Sequence, residues 1–375
     1  MKHSPAITSI SQENRPDALL ISQAKLGILL GVDSALLEDC DMDDKTRIRL
    51  TAAEMSGLWS QYINDTLATC VSSYYLEKVE DEEVRPIVEW SLRTAKENLA
   101  IMQELFQKEG FPIPHGFTEQ DVDPQAPKLF SDTFVLRYFR HMSILALASN
   151  SAALGLAARQ DVVAFHKRVV DKAIDLQDLT RNLMLKQGTY IRPPYISVPD
   201  KVDFVEKQSF LTGFFGKKRS FTSIEITHLF LNVHANAIGK DLITGFAQTA
   251  QDKEVKQFLL RGMQLSQKFV DIFSRILINE DLPAPMNWDS AVTDSTTPVF
   301  SDKLIMFHVS AMIAAGIGNF GVSMAASIRR DLATRYATLI PEIARYAEDA
   351  ANLMIKHGWL EEPPQADDRD KLIKG

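Results

Sequence analysis

The stretch Leu183-Met184-Leu185-Lys186-Gln187-Gly188 returns as Leu353-Met354-Ile355-Lys356-His357-Gly358, 170 residues later in a chain of 375. On either side of it, Pro193-Pro194 is answered by Pro363-Pro364 and Phe130-Ser131-Asp132 by Phe300-Ser301-Asp302, both at the same spacing. Thr51-Ala52-Ala53-Glu54 is answered by Thr222-Ser223-Ile224-Glu225, and Pro112 and Pro114 by Pro283 and Pro285, at 171. A drift of one residue over such a length marks an internal duplication, and a repeat is the first thing that organises a fold.

Each copy carries the same punctuation. A Thr followed three residues later by Glu, at Thr51/Glu54 and Thr222/Glu225, is the signature of a capped helix start. Acidic breaks at 80–83 and 251–254 separate a first helix from a second, which runs to about Glu109 and Ile278. Ser131 and Ser301 open a third helix, and a fourth ends at Gly188 and Gly358, where glycine is the residue expected just past a helix end. Apolar residues recur at helical spacing without strand-like alternation, so each copy is expected to be a four-helix bundle and the chain all-α. The expected division is a first bundle with an N-terminal extension over 1–189, a linker over 190–220, a second bundle over 221–360 and a polar tail over 361–375.

The connection between the second and third helices is about 20 residues long, unusual for a helix–helix link. Extended, it reaches roughly 60 Å, enough to travel the height of a bundle about 40 Å tall. One long crossover would give the ferritin-like topology; the same loop could instead fold back locally.

Composition bounds the function. A net charge of −8 and a pI near 5.6 argue against a nucleic-acid surface, which needs clustered cations to neutralise phosphates. The opening residues have no apolar segment after Lys2, so no secretory signal is read there and a cytoplasmic location is expected. Two cysteines, Cys40 and Cys70, fit free thiols in a reducing compartment. From Leu304 to Ala326 no Asp, Glu, Lys or Arg occurs, a length that would permit a membrane span. His308, Ser310, Asn319 and Ser323 interrupt it and the matching helix of the first copy is amphipathic, so a buried or contact helix rich in small residues is expected instead.

Metal-bearing bundles take a Glu from each of two helices and Glu-x-x-His from each of the other two. Here Glu225-Ile226-Thr227-His228 is the one such helical motif, and the first copy has Gly57 where His228 stands. His308 lies on the third helix of the second copy, aligned with Tyr138. Glu225, His228 and His308 are therefore the candidate ligands of an incomplete site for a single divalent metal or iron, set against the simpler reading of a helix cap and two core histidines. The choice turns on topology: alternating helices would bring the three together, whereas a long crossover would put them at opposite ends. No phosphate loop, nucleophile elbow or Cys/His nucleophile arrangement occurs, so no enzyme, catalytic residue or cofactor is expected. In the linker, Phe210, Leu211, Phe214 and Phe215 are expected to pack between the domains, with the following cations solvated.

The linker PPYISVPDKVDFVEKQSFLTGFFGKKR (193–219), the run NWDSAVTDSTTPVFSDKLIMFHV (287–309) and the loop GFPIPHGF (110–117) resemble a duplicated family of unknown function from spore-forming bacteria, related to spore coat protein F and grouped with ferritin-like bundles. The resemblance covers roughly residues 20–365. It implies the fold and an association with the spore, with homo-oligomer or spore coat partners, and it supplies no catalytic residue. The expected function is that of a non-catalytic helical protein, spore-coat-like; the alternatives are a metal-binding or redox bundle with one incomplete site in the second copy and a small-molecule carrier using the apolar space between helices.

Overall fold

Thr51 and Thr222 each begin a helix in the same way: the Thr hydroxyl accepts from the N–H three residues on, and the Glu carboxylate reaches back to the Thr N–H. The computed structural model describes residues 48–214, 218–285 and 291–374. The architecture lies within Leu50–Gly375, which forms one compact unit. The first copy contains α1 (Ala52–Lys78), α2 (Arg85–Lys108), α3 (Asp132–Leu156) and α4 (Gln160–Lys186). The second contains α5 (Ser223–Thr249), α6 (Lys253–Ile278), α7 (Asp302–Ala326) and α8 (Arg330–Lys356), and a short exposed α9 (Arg369–Lys374) follows. Among the described residues there is no strand.

Both copies end on the glycine the sequence marks. Gly188 and Gly358 have φ of 70° and 67°, a left-handed conformation that glycine adopts without a Cβ clash. The N–H of the following residue, Thr189 or Trp359, bonds the carbonyl of Met184 or Met354 at 2.9 Å, closing the helix in a Schellman motif.

The hydrogen bonds at the helix ends fix the direction of each helix. The start of α1 meets the end of α3, because Glu54 accepts from the N–H groups of Ala158 and Arg159. Arg159 also bonds Glu109 at the end of α2. At the other pole, Asp132 at the start of α3 accepts from the N–H groups of Glu80 and Asp81 just after α1. The second copy repeats this with Arg329 on Glu225 and Glu280, and Asp302 on Gln251 and Asp252. Each copy therefore runs up, down, down, up, and the segments 109–131 and 279–301 cross the full height of their bundles. Of the two loop courses the sequence leaves open, the structure takes the crossover.

The two crossovers pair with each other. Asp123 N–H bonds the Val299 carbonyl at 2.7 Å and Thr293 N–H the Leu129 carbonyl at 2.9 Å; Ser131 N–H bonds Ala291 at 3.0 Å and Ser301 N–H bonds Asp121 at 2.9 Å. Every bond has its counterpart 170 residues away, as do the antiparallel bridges Val122 to Phe300 and Phe130 to Val292. The copies are thus related by a pseudo-two-fold axis within one chain, the self-complementary arrangement of a symmetric dimer.

Side chains around the axis obey the same rule. The rings of Tyr75 and Tyr138 lie 5.6 Å apart, and so do their counterparts Phe246 and His308. Phe130 meets Phe246 at 6.4 Å, and Tyr74 meets Phe300 at 5.4 Å. The backbone at Gly245 approaches so closely that an added Cβ would sit 2.5 Å from the Phe130 ring. One apolar core runs without a break from Ile63 in the first copy to Met354 in the second, and a smaller cluster around Leu58, Phe106 and Phe165 closes the far end of the first.

Helix α7 is long and apolar enough to cross a membrane by length and composition. In this fold its Leu304, Ile305, Val309, Ile313 and Phe320 are buried, and the exposed residues on its other side include Ala314, Gly318 and Ala325.

In the linker, Phe210 is half-buried under the Arg219 guanidinium, 4.1 Å from its ring centre, and Leu211 is half-buried beside it. Phe214 is 54% exposed, and Phe215 lies outside the described residues, as does the N-terminal extension before residue 48. Beyond α8, Glu361 accepts from the N–H groups of His115 and Gly116 at 2.9 and 2.6 Å, so this tail residue clasps the first crossover.

Candidate functional site

Glu225 is fully buried and its carboxylate is saturated. It accepts from Thr222 N–H at 2.9 Å, Thr222 Oγ1 at 3.1 Å, Arg329 N–H at 2.9 Å, and both terminal nitrogens of Arg219 at 2.7 and 2.9 Å. Burial by itself would raise its pKa; the Arg219 pair and the backbone donors outweigh that and hold the carboxyl at about 2. Glu54 does the same in the first copy with Thr51, Ala158 and Arg159, and it too is held at about 2 against the opposing effect of burial.

His228 and His308 do not join Glu225. His228 Nδ1 lies 3.3 Å from Ser323 Oγ. His308 sits fifteen residues earlier on the same helix as Ser323, about 22 Å of helical rise away. Its Nε2 is 3.3 Å from the Tyr138 hydroxyl, on the pseudo-two-fold axis. The crossover places the starts of α5 and α7 at opposite poles, so the three candidate ligands are not brought together. Among the described residues no three His, Cys, Asp or Glu side chains converge as a metal cluster would require.

A longer polar chain that reaches a cleft lies in the first copy, where the sequence offers no motif for it. The space above Gly57 is taken by His166 of α4, whose Nε2 would lie 2.9 Å from a Cβ at that position. His166 Nδ1 is 2.9 Å from Asn150 Oδ1, Asn150 Nδ2 donates to Gln61 Oε1 at 2.9 Å, and Gln61 Nε2 donates to Asp65 Oδ2 at 2.9 Å. A hydrogen-bonded chain thus links α4, α3 and α1. Asp65 and Asn98 line a cleft of about 140 Å³ between the four helices. Burial pushes the Asp65 carboxyl up to about 7 against the opposing hydrogen bonds of Gln61 and Asn98.

The second copy keeps a shorter polar group, in which Asn232 Nδ2 donates to Ser323 Oγ at 2.8 Å and to the Tyr336 hydroxyl at 3.4 Å, and fills the rest of that space with rings. Asn150 and His166 align with Phe320 and Tyr336, and Asn98 with Phe269. Phe269 and Phe320 lie 5.2 Å apart, Phe273 and Phe320 5.4 Å, and Phe273 and Tyr336 5.3 Å. The corresponding cavity there is about 60 Å³.

A second polar group sits between the copies. His141 and His234 are buried with ring centres 6.5 Å apart, and Arg140 bridges His234 Nε2 at 3.5 Å and the Tyr190 hydroxyl at 3.2 Å. Burial, then the neighbouring Arg140, lowers His141 to about 4; burial, then His141 and Arg140, lowers His234 to about 3; burial lowers His308 to about 4. Each folded value lies below the unfolded one near 6.5, so the unfolded chain binds more protons between pH 6.5 and 4. Stability then falls on acidification through that window, by up to about 1.4 kcal/mol per pH unit for each histidine. Asp65 works the other way, its folded pKa being raised, and removes about one histidine's share of the slope. Urea midpoints should drop between pH 6.5 and 4.5, and His308→Phe should flatten the fall; a midpoint constant over that range would contradict this reading.

The chain is matched twice by the family model described as "Protein of unknown function (DUF3231)", over residues 41–202 and 209–372. A solved structure from Bacillus halodurans C-125, provisionally named a spore coat protein, is 20% identical with a TM-score of 0.37, covering 40% of this chain and 98% of its own. Among curated proteins, none matches.

Proposed function

This chain belongs to the DUF3231 family of proteins of unknown function, in two copies, and from that premise we propose that it is a non-catalytic helical protein that works through its surfaces and is associated with the spore. The observation that carries the non-catalytic reading is the placement of Glu54 and Glu225. Glu225 is the carboxylate of the candidate metal site and Glu54 its counterpart, and both are committed to backbone N–H groups at the pole of the bundle. The aromatic filling of the second interior supports it further. The spore reading is supported by the likeness of the linker and the crossover loop to the spore-coat-related family. A cytoplasmic site of synthesis, no resident cofactor, no nucleic-acid or membrane partner, and assembly with itself or with coat proteins complete the proposal; the ferritin-like class is supported by the single long crossover in each copy.

Two measurements test it. Untagged protein should carry iron, manganese and zinc well below one atom per chain, with no change on His228→Ala; a stoichiometric metal lost in that variant would defeat the non-catalytic reading. In the producing organism the protein should be retained in purified spores. Abundance in growing cells with none in spores would defeat the spore reading.

A further inference from the structure

The cleft of the first copy combines an apolar wall with an amide oxygen that lacks a partner and a buried carboxyl that only amide groups donate to. Val71, Phe139, Met142 and Leu176 line it, and half-buried Trp90 and Lys172 stand on its lining as well. Its volume of about 140 Å³ is close to that of an engineered cavity of roughly 150 Å³ that accepts benzene, so a single six-membered ring is the right scale. Asn98 is 2% exposed, and its Oδ1 is buried without a hydrogen-bond partner. Asp65 is 6% exposed, and only amide donors offset the effect of burial on its carboxyl; no cation contributes. An orphan acceptor is costly unless something donates to it, and a buried carboxyl held by neutral amides alone gains from a cation. Lys172 does not fill that role, because its ammonium is held over the Trp90 ring at 5.5 Å and 3.8 Å from Asp175.

We infer that this cleft is a binding site for a small primary amine with an apolar body, its ammonium donating to Asp65 and Asn98 and its ring or chain packing on Val71, Phe139 and Leu176. An alcohol brings one donor and no charge; an ammonium brings three donors and the charge that matches a carboxylate. The site is confined to the first copy. Asp65 and Asn98 align with Asn236 and Phe269 in the second, whose cavity is less than half the size. The inference is independent of the spore association and adds a ligand to a protein read above as non-catalytic.

Calorimetric titration of the full chain with benzylamine, and with toluene as the apolar control, tests it. One benzylamine should bind per chain, at least about tenfold tighter than toluene, the margin of one charge-assisted contact. Asp65→Asn and Asn98→Leu should each erase that preference while toluene binding and the helical circular dichroism are kept. Ala173→Phe, which fills the cleft, should abolish binding of both. No saturable binding to the folded wild type, two sites per chain, equal affinity for the two probes, or a preference unchanged in both polar variants would overturn the inference.

Discussion

Replacing Glu225 by Ala lowers the unfolding free energy by about 3–5 kcal/mol, the cost of removing one partner from a buried ion pair. The magnitude follows from what the carboxylate holds together. Arg219 loses its partner, the Thr222 and Arg329 N–H groups lose their acceptor, and Arg329, 3% exposed in its side chain, is the residue that also ties the start of α8 to Glu280 just past α6. Glu54→Ala should behave alike through Thr51, Ala158 and Arg159. The pH sign supports the same account. A carboxyl held at about 2 against an ordinary 4.5 contributes stability above pH 4.5 that is lost as pH falls toward 2, and Glu225→Gln should remove that loss. Urea denaturation of the variants measures both; a cost under about 1 kcal/mol, the scale of an exposed pair, would mean the cap is dispensable.

Phe130→Ala is expected to cost about 3–5 kcal/mol, as large-to-small changes of buried aromatic residues do. Phe130 stacks on Phe134 at 4.6 Å and meets Tyr75 and Phe246 edge-on at 6.2 and 6.4 Å, so it belongs to both copies at once. The cavity left there sits on the seam between the copies, beside the paired crossovers. Denaturation by guanidinium should show a lower midpoint for the whole chain. A loss confined to the first copy, or no loss, would contradict a shared seam.

Much of this fold is legible in the sequence because its signals are local. The Thr-x-x-Glu caps, Ser131 and Ser301, and the terminal glycines mark helix ends through contacts within four or five residues. What local pattern could not supply is direction and pairing. A 23-residue crossover and a folded-back loop have the same sequence length, and only contacts such as Asp132 with Glu80 and Asp81 separate them. Glu225-x-x-His228 carries two meanings in one tetrapeptide; the cap prevails because Arg219 and Arg329 arrive from elsewhere in the chain. His166 is not legible in the repeat, because aligning copy against copy shows what stands at Gly57 and not which other helix reaches into the space it leaves.

Duplication explains the pairing of Tyr138 with His308. In a symmetric dimer of single copies, a residue on the axis meets itself. Joining the copies lets the two positions diverge, and a hydroxyl now faces an imidazole at 3.3 Å. The same freedom lets one interior keep a long polar chain and a cleft while the other retains only the Asn232–Ser323–Tyr336 group and fills with Phe269, Phe273 and Phe320.

Two bundles, joined across a pseudo-two-fold axis, share one core. Differential scanning calorimetry of the wild type and of Glu225→Ala tests it most directly. Residues of both copies should melt in a single transition whose calorimetric and van't Hoff enthalpies agree, shifted downward as a whole in the variant. Two resolved transitions, of which Glu225→Ala moves only one, would contradict it.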